Sequence, residues 1–162
     1  ADIAGSVLGT GRASRLYRSL VRERRVAKDV TSFVLPLTSG AGMFLAWATG
    51  FPEGDPCELE AALAAEIEGL SSVTDQEIER AVALTETALV RQLQHVGERA
   101  DLLSMFDQLF DDPARLNGEL ERLRAVTPAD VSKLVDGFLG AENRAVLTYV
   151  PVSEVTSTPG AP

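Results

Sequence analysis

The chain has 162 residues, of which 45% are hydrophobic and 24% are charged, values ordinary for one globular domain with a sizeable apolar core. Its formal net charge is −9, which argues against a broad phosphate-binding surface because nucleic-acid binding needs clustered Lys and Arg. No apolar run approaches the roughly 20 residues of a bilayer crossing. Neither nucleic acid nor membrane is therefore an expected partner.

The first third of the sequence predicts two helices followed by two strands. Residues 2–8 have the apolar spacing of a helix, which the Gly-Thr-Gly run at 9–11 ends. Ser14 is placed to cap a second helix that extends to about residue 25. Residues 29–37 and 42–49 read as strands, and the turn-rich residues between them favour a hairpin connection and antiparallel pairing.

The remainder predicts mainly helices. The Asp-Pro pair at 55–56 and the Thr-Pro pair at 127–128 have the pattern of a cap followed by proline at the first helical position. Thr74 and Glu77 fit a capping box, and Gly97 is expected to end or kink the helix that follows. Apolar spacing predicts this long helix over 75–96, further helices around 102–110, 116–123 and 128–139, and a last strand at 144–150.

This order of elements predicts an α+β fold in which an antiparallel β-sheet packs against several helices. Three strands are few for so many helices, and the first residue is not Met. We therefore expect a sheet that is incomplete, with its missing strands encoded before Ala1. Residues 1–151 form the expected domain, and residues 152–162 are expected to be a disordered tail.

Zinc-hydrolase chemistry needs about three protein ligands and a polarised water, and this chain has one histidine. The string HVGER at 95–99 resembles an inverted zinc motif, but Arg99 stands where the second histidine belongs. A guanidinium is always protonated and does not bind zinc. His95 is therefore interpreted as a surface or helix-end residue.

Two other short patterns favour structural roles. The string GTGRAS at 9–14 echoes a Gly-rich phosphate loop, but a helix precedes it and Ser14 replaces the third glycine, which favours a helix-to-helix turn. No partner marks His95 as the base of a Ser/His/Asp triad. Asp111 and Asp112 lie at a helix junction, where carboxylates usually act as caps.

Residues 7–30 read VLGTGRASRLYRSLVRERRVAKDV, a helix end, a small-residue turn, Ser-Arg-Leu and a helix of the form Leu-x-x-Glu-x-x-Val-Ala, where the family block has Leu-x-x-Glu-x-x-Leu-Ala. This block resembles one in the C-terminal, non-catalytic half of M16 (insulinase/pitrilysin-like) peptidases. Residues 126–151 are similar to the closing helix and strand of that half, and the layout between the two blocks matches. The resemblance covers residues 1–151, and its motif positions are Ser14, Arg15, Leu16, Leu20, Glu23, Val26 and Ala27.

The resemblance implies two halves around an enclosed chamber, one with a His-x-x-Glu-His zinc motif and one that closes the chamber and helps to hold the peptide. For this chain it implies no catalytic residue, no metal ligand, zinc in the parent protein and a peptide substrate. The expected partner is an upstream zinc-bearing half, in the same chain or as a partner subunit. One alternative is a structural homologue with an assembly role and no proteolysis, and another is an unrelated helical interaction domain that uses the amphipathic helices at 75–96 and 128–139. The parent is expected to be bacterial, cytoplasmic or exported.

The resemblance also implies a substrate-contacting Arg and Tyr near the helix-to-strand junction. Aligned without gaps on Leu20, these positions fall on Val21 and Lys28, so the chain departs from the family pattern at both. Arg22 is one residue from the first position. Arg22 and Lys28 are the expected substitutes, able to polarise a carbonyl or hold a carboxylate, with ordinary surface charges as the alternative. Either strand could also pair with an extended peptide through its backbone.

Overall fold

A computed structural model describes residues 1–36 and 42–150, so the predicted hairpin connection and the predicted tail lie largely or wholly outside the described residues. The α-helices are α1 (Asp2–Gly9), α2 (Pro56–Gly69), α3 (Asp75–Gln94), α4 (Val96–Phe110), α5 (Glu119–Arg124) and α6 (Pro128–Phe138). A π-helix covers Tyr17–Glu23, and short 3-10 turns cover Leu70–Ser72, Pro113–Gly118 and Ala141–Asn143. The strands are β1 (Ala27–Pro36) and β2 (Gly42–Gly50). None of the described helices is long and apolar enough to span a bilayer.

The sheet of the described residues consists of β1 and β2, which pair antiparallel as predicted. In this register Phe33 lies opposite Leu45, and Thr31 lies opposite Trp47. Because side chains alternate between the two faces of a strand, both pairs share one face and the buried Ser32 lies on the other. The α+β fold with an antiparallel sheet and several helices is confirmed.

Helix α1 lies directly against the backbone of β1 on the buried face of the sheet. The Ser32 hydroxyl donates a hydrogen bond to the Gly5 carbonyl oxygen at 2.6 Å, between two buried residues. A side chain added at Gly9 would place its Cβ 2.2 Å from the Ser32 nitrogen, so the close approach requires glycine there.

One apolar core joins the first helix, the π-helix, the sheet and the helices α2, α3 and α6. Burial of this surface is the main favourable contribution to folding, at about 25 cal/mol per Å² of apolar area. Its residues that are fully or almost fully buried include Ile3, Ala4, Val7, Leu8, Leu16, Leu20, Ala27, Ala62, Leu70, Ile78, Ala81, Val131 and Val135.

Caps confirm the predicted helix starts. The Glu77 N–H donates to the Thr74 hydroxyl at 3.3 Å, and the Thr74 N–H donates to the Glu77 carboxylate at 3.0 Å. Thr127 and Asp130 form the same capping box before α6, and the hydroxyl and N–H of Thr127 lower the pKa of Asp130 by donating to its carboxylate. The remaining predicted caps, Ser14 and Asp55, accept from the N–H groups of Tyr17 and Cys57.

The helices differ from the prediction in winding and in bounds. The second helix is a π-helix over Tyr17–Glu23, wound with i to i−5 hydrogen bonds such as that from the Arg24 N–H to the Ser19 oxygen. The long helix breaks at His95, whose backbone is extended, and Gly97 lies inside the first turn of α4. The spacing of apolar residues predicts neither the π winding nor the break at His95, because the same helical spacing continues through both segments.

The strand predicted at 144–150 is wrong. No strand forms there, although the backbone leaves the last 3-10 turn in an extended conformation at Arg144. A strand exists only through ladder hydrogen bonds to a neighbour, and within the described residues β1 and β2 pair only with each other. The apolar side chains of the segment consequently stay in solvent, with Tyr149 79% exposed.

Candidate substrate-contacting site

The π-helix ends in a strained residue that turns the chain into β1. Arg25 has a φ of 56°, the left-handed conformation that glycine usually occupies at a helix C-terminus. The Val26 N–H then donates back to the Leu20 carbonyl oxygen at 2.9 Å and closes the helix end. This turn redirects the chain from the π-helix, which contains Arg22, into β1, which contains Lys28.

The two predicted site residues lie at this helix-to-strand junction, and both are exposed. The Lys28 ammonium lies 5.5 Å from the centroid of the Phe51 ring, a cation–π contact that fixes it against the residue following β2. Arg22 is in the last turn of the π-helix. Neither Arg22 nor Lys28 forms a salt bridge to any described residue.

A cleft of about 430 Å³ opens beside this junction. Its walls come from Arg25 and Val26 after the π-helix, from the loop between β2 and α2 (Phe51, Glu53, Gly54 and Asp55), and from Glu58 in the first turn of α2. The cleft thus has an aromatic side, a cationic rim and an acidic rim, and the Asp55 carboxylate is already engaged as the cap of α2. Cations there can hold a carboxylate or a peptide carbonyl.

Val21, the position aligned with the family arginine, is half-buried and packs against the apolar core. It therefore presents no polar group to a ligand. Arg22, its neighbour, points its charge to solvent.

Arg25 and Phe51 belong to this junction but were not predicted to act in it. Six of the 15 Lys and Arg residues fall within residues 11–25, so the sequence did signal a local concentration of positive charge. The left-handed conformation of Arg25 could not be predicted, because the residue at that position is neither Gly nor Asn, the residues that usually adopt it. Phe51 lies 23 residues after Lys28, and only the strand pairing brings the two together.

The other motifs are structural. His95 is exposed between α3 and α4, as interpreted, and residues 9–14 form the turn between two helices. Asp111 closes α4 in a left-handed conformation, and the Asp112 carboxylate accepts from the Ala114 N–H at 3.0 Å. A broad depression of about 550 Å³ around Arg115 and Arg122 is shallow, and the Arg115 guanidinium in it lies 4.1 Å from the Phe110 ring centroid.

Residues 1–85 match the family model described as the peptidase M16 inactive domain, which is more than half of the chain. The chain belongs to the peptidase M16 family. No curated protein matches it.

Solved structures share the fold of this M16 inactive domain. The inactive peptidase domain of a proposed zinc protease from Bordetella parapertussis has a TM-score of 0.82 and 23% identity, over 95% of this chain and 84% of that one. A proposed zinc protease from Bordetella pertussis Tohama I gives 0.79 and 24%, over 93% and 82%. A Helicobacter pylori protease gives 0.76 and 20%, over 86% of this chain and 34% of the protease.

The Ser-Arg-Leu motif that carries the family resemblance holds the M16 inactive domain together. Ser14 and Leu16 are fully buried, while the Arg15 guanidinium donates to both Glu77 carboxylate oxygens at 2.7 and 2.8 Å. Arg15 also donates to the carbonyl oxygens of Gly69, the last residue of α2, and Ser72, the last residue of the 3-10 turn after it. One side chain therefore connects the start of the π-helix to the α2–α3 connection.

Replacing Arg25 with glycine is expected to raise the free energy of unfolding by about 0.5 kcal/mol, because a left-handed conformation is strained for arginine and not for glycine. The matched change Arg22→Gly, inside the π-helix, is expected to lower it by about 1 kcal/mol. Urea unfolding followed by circular dichroism measures both. A loss of stability in R25G as large as that in R22G would contradict the strain at Arg25.

Proposed function

We propose that this chain is the non-catalytic C-terminal domain of a zinc-dependent M16 metalloendopeptidase, where it closes the substrate chamber and helps to hold the peptide. In this proposal Arg22 and Lys28 take the places of the substrate-contacting Arg and Tyr of the family. The observation that supports it is the exposure of both cations at one helix-to-strand junction, where Arg25 and Val26 line a cleft of about 430 Å³.

The zinc of this proposal belongs to another part of the parent protein. The described residues contain no group of three or more His, Cys, Asp or Glu side chains that could hold a metal ion. The donor set of a zinc peptidase includes histidines, and His95 is the only one in the sequence. The residues of this chain therefore do not fit the metal, and its partner is a zinc-bearing half in the same chain or in a second subunit.

The chemical task of the two cations is electrostatic. During attack on a peptide bond, negative charge develops on the carbonyl oxygen, and a fixed cation near that oxygen lowers the barrier. The Arg22 guanidinium can donate several hydrogen bonds in one plane, whereas the Lys28 ammonium acts as a point charge. The contact of Lys28 with Phe51 restricts where that charge can lie.

Cleavage of a quenched fluorescent peptide by this chain combined with its zinc-bearing half tests the proposal. We expect cleavage only when both parts are present, and a fall in kcat/KM of about 10-fold for Arg22→Gln and for Lys28→Gln. Arg99→Gln, which removes an exposed arginine on α4, is the matched control and should leave kcat/KM unchanged. If both variants cleaved the peptide normally, Arg22 and Lys28 would not contribute to substrate binding or cleavage.

An assembly role without proteolysis is the second candidate. The half-buried Val21 favours it, because a member that cleaves peptides is expected to keep a cation at the aligned position. The same assay separates the two. A stable complex of the two parts that cleaves no peptide at any pH would favour assembly, whereas cleavage that depends on Arg22 would exclude it.

A further inference from the structure

Arg80, on α3, is a half-buried cation that forms no salt bridge to any described residue. Its Nη1 donates to the Thr10 carbonyl oxygen at 3.5 Å, which is long for a hydrogen bond, and its Nη2 is buried without an acceptor. No other charged side chain in the described part of the chain leaves a buried nitrogen or oxygen unpaired. Because an unpaired buried N–H of a charged group is costly, Arg80 needs an explanation beyond the fold.

The charged groups nearest to Arg80 do not neutralise it. Glu77 lies three residues earlier on α3, but both of its carboxylate oxygens already accept from Arg15. Burial is the largest cause that lowers the pKa of Arg80, and the like charge of Arg18, on the π-helix, lowers it further. Two guanidiniums therefore lie near each other, and the carboxylate beside them is bound to a third.

Positive charge continues from Arg18 to Arg22 along the π-helix. Both arginines are exposed, whereas Ser19 and Leu20 between them are buried. Arg18 and Arg22 therefore lie on the outward side of the helix, about one turn apart. Neither forms a salt bridge to any of the residues that the structure describes. We call Arg80, Arg18 and Arg22 the arginine row.

The charge of this region is opposite to that of the rest of the chain. Residues 11–25 contain six of the 15 Lys and Arg but only one of the 24 Asp and Glu, which gives a local charge of +5 and leaves −14 for the remainder. A local positive surface attracts carboxylates, whereas the surrounding negative charge opposes a long polyanion such as a nucleic acid. The charge distribution therefore favours a small anion, such as a single carboxylate of a peptide.

We propose that Arg18 and Arg80 bind the carboxylate of an Asp or Glu side chain of the substrate, next to the part of the peptide that Arg22 contacts. This assignment rests on the proposed function and specifies its substrate class as peptides with an acidic residue near the cleaved bond. A carboxylate between two guanidiniums accepts charge-assisted hydrogen bonds from both and removes their mutual repulsion.

The spacing of the arginine row places the acidic residue along the peptide. Side chains one helical turn apart are separated by about 5–6 Å, and an extended peptide advances about 3.3 Å per residue. The acidic side chain at Arg18 is therefore expected about two residues from the peptide residue that Arg22 contacts.

Peptide binding to the chain itself tests the proposal. The probe is the heptapeptide Ser-Ala-Val-Glu-Val-Ala-Ser with a rhodamine label, and the control peptide has Gln in place of Glu. Fluorescence anisotropy at low salt is expected to give a Kd about 10-fold lower for the Glu peptide, since a hydrogen bond to a charged acceptor is stronger than one to an amide. Equal affinities, or no saturable binding of the Glu peptide, would overturn the proposal.

Two arginine variants locate the carboxylate. Arg18→Gln is expected to reduce the preference for Glu over Gln from about 10-fold to about 1-fold. Arg91→Gln removes an exposed arginine near the other end of α3 that forms no salt bridge to a described residue, and it should keep the preference. Both variants lose one positive charge, so a general change in net charge affects them equally. The same preference in R18Q and R91Q would contradict the assignment.

Arg80→Met tests the second guanidinium. The variant keeps a long side chain but removes the unpaired N–H groups, so it is expected to lose the preference for Glu without a lower urea midpoint. Circular dichroism confirms that it folds. A folded R80M that still bound the Glu peptide about 10-fold more tightly than the Gln peptide would exclude Arg80 from the site.

A phosphate ligand is the other outcome of the binding assay. If a labelled single-stranded oligonucleotide bound more tightly than the Glu peptide, and R18Q abolished that binding, the arginine row would be a phosphate site and the proposal would be wrong. Because this assay requires no cleavage, its failure leaves the proposed function to the peptidase assay. Equal cleavage of Glu and Gln peptides by the chain with its zinc-bearing half would overturn the substrate class alone.

Discussion

Replacing Gly9 with alanine is expected to lower the free energy of unfolding by about 3 kcal/mol or to prevent folding. The added Cβ would lie 2.2 Å from the Ser32 nitrogen and 2.7 Å from the Thr31 carbonyl carbon, and both atoms belong to the backbone of β1. A side-chain rotation cannot relieve such a clash, so α1 must move off the sheet. The shift of the urea midpoint, with near-ultraviolet circular dichroism for packing, measures the effect.

Gly5→Ala is the matched control for this prediction. Gly5 lies one turn earlier on the same helix, but a Cβ there would meet its nearest neighbours at 3.7 Å, an ordinary van der Waals distance. Alanine also has a higher helix propensity than glycine, by about 1 kcal/mol. G5A should therefore be neutral or stabilising. If G9A and G5A had the same unfolding midpoint, the close approach of α1 to β1 would be incorrect.

The sequence predicted those parts of the fold that depend on neighbours along the chain. The capping boxes at Thr74 and Thr127 were predictable because each hydrogen bond joins residues three apart. The β1–β2 pair was predictable because two alternating segments lie on either side of a short turn-rich connection. The π winding was not, since the apolar residues of Tyr17–Glu23 suit an α-helix as well.

Features that depend on distant residues could not be predicted. Residues 144–150 have strand propensity, but a strand also needs a free neighbouring edge, and nothing in the segment reports whether one is in reach. The candidate site divides in the same way. Arg22 and Lys28 could be proposed from their positions in a family motif, whereas the Phe51 contact and the left-handed Arg25 required the three-dimensional structure.

Acid is expected to destabilise the domain through Glu77. The pKa of Glu77 falls from its ordinary 4.5 to about 2. Hydrogen bonds from Arg15 are the largest cause, and hydrogen bonds from Thr74 lower the pKa further. As the pH falls, the Glu77 carboxylate is therefore protonated in the unfolded chain before it is protonated in the folded domain. The stabilisation is complete above about pH 5 and is lost as the pH falls through about 2. Allowing for solvent screening of a side chain that is 19% exposed, the loss is about 2 kcal/mol. Urea unfolding at a series of pH values between 7 and 2 measures this loss in the free energy of unfolding.

Removal of Arg15 should reduce this acid sensitivity and destabilise the domain at neutral pH. In Arg15→Met the Glu77 carboxylate keeps only its capping partners, so its pKa rises towards the ordinary value. The carbonyl oxygens of Gly69 and Ser72 each lose the hydrogen bond from Arg15. We expect a loss of about 2–3 kcal/mol at pH 7, because the pair is largely desolvated and its removal leaves a half-buried charge.

The surface pair of Arg122 with Glu119 separates this effect from a general loss of charge. Arg122 is 60% exposed, compared with 15% for Arg15, although both guanidiniums lie within hydrogen-bonding distance of a carboxylate. Exposed pairs contribute little, so Arg122→Met should cost less than about 0.5 kcal/mol and leave the acid sensitivity intact. If R15M and R122M were equally stable, Arg15 would not connect the π-helix to the α2–α3 connection. Arg15 of the Ser-Arg-Leu motif would then have a role in substrate binding and not in the stability of the fold.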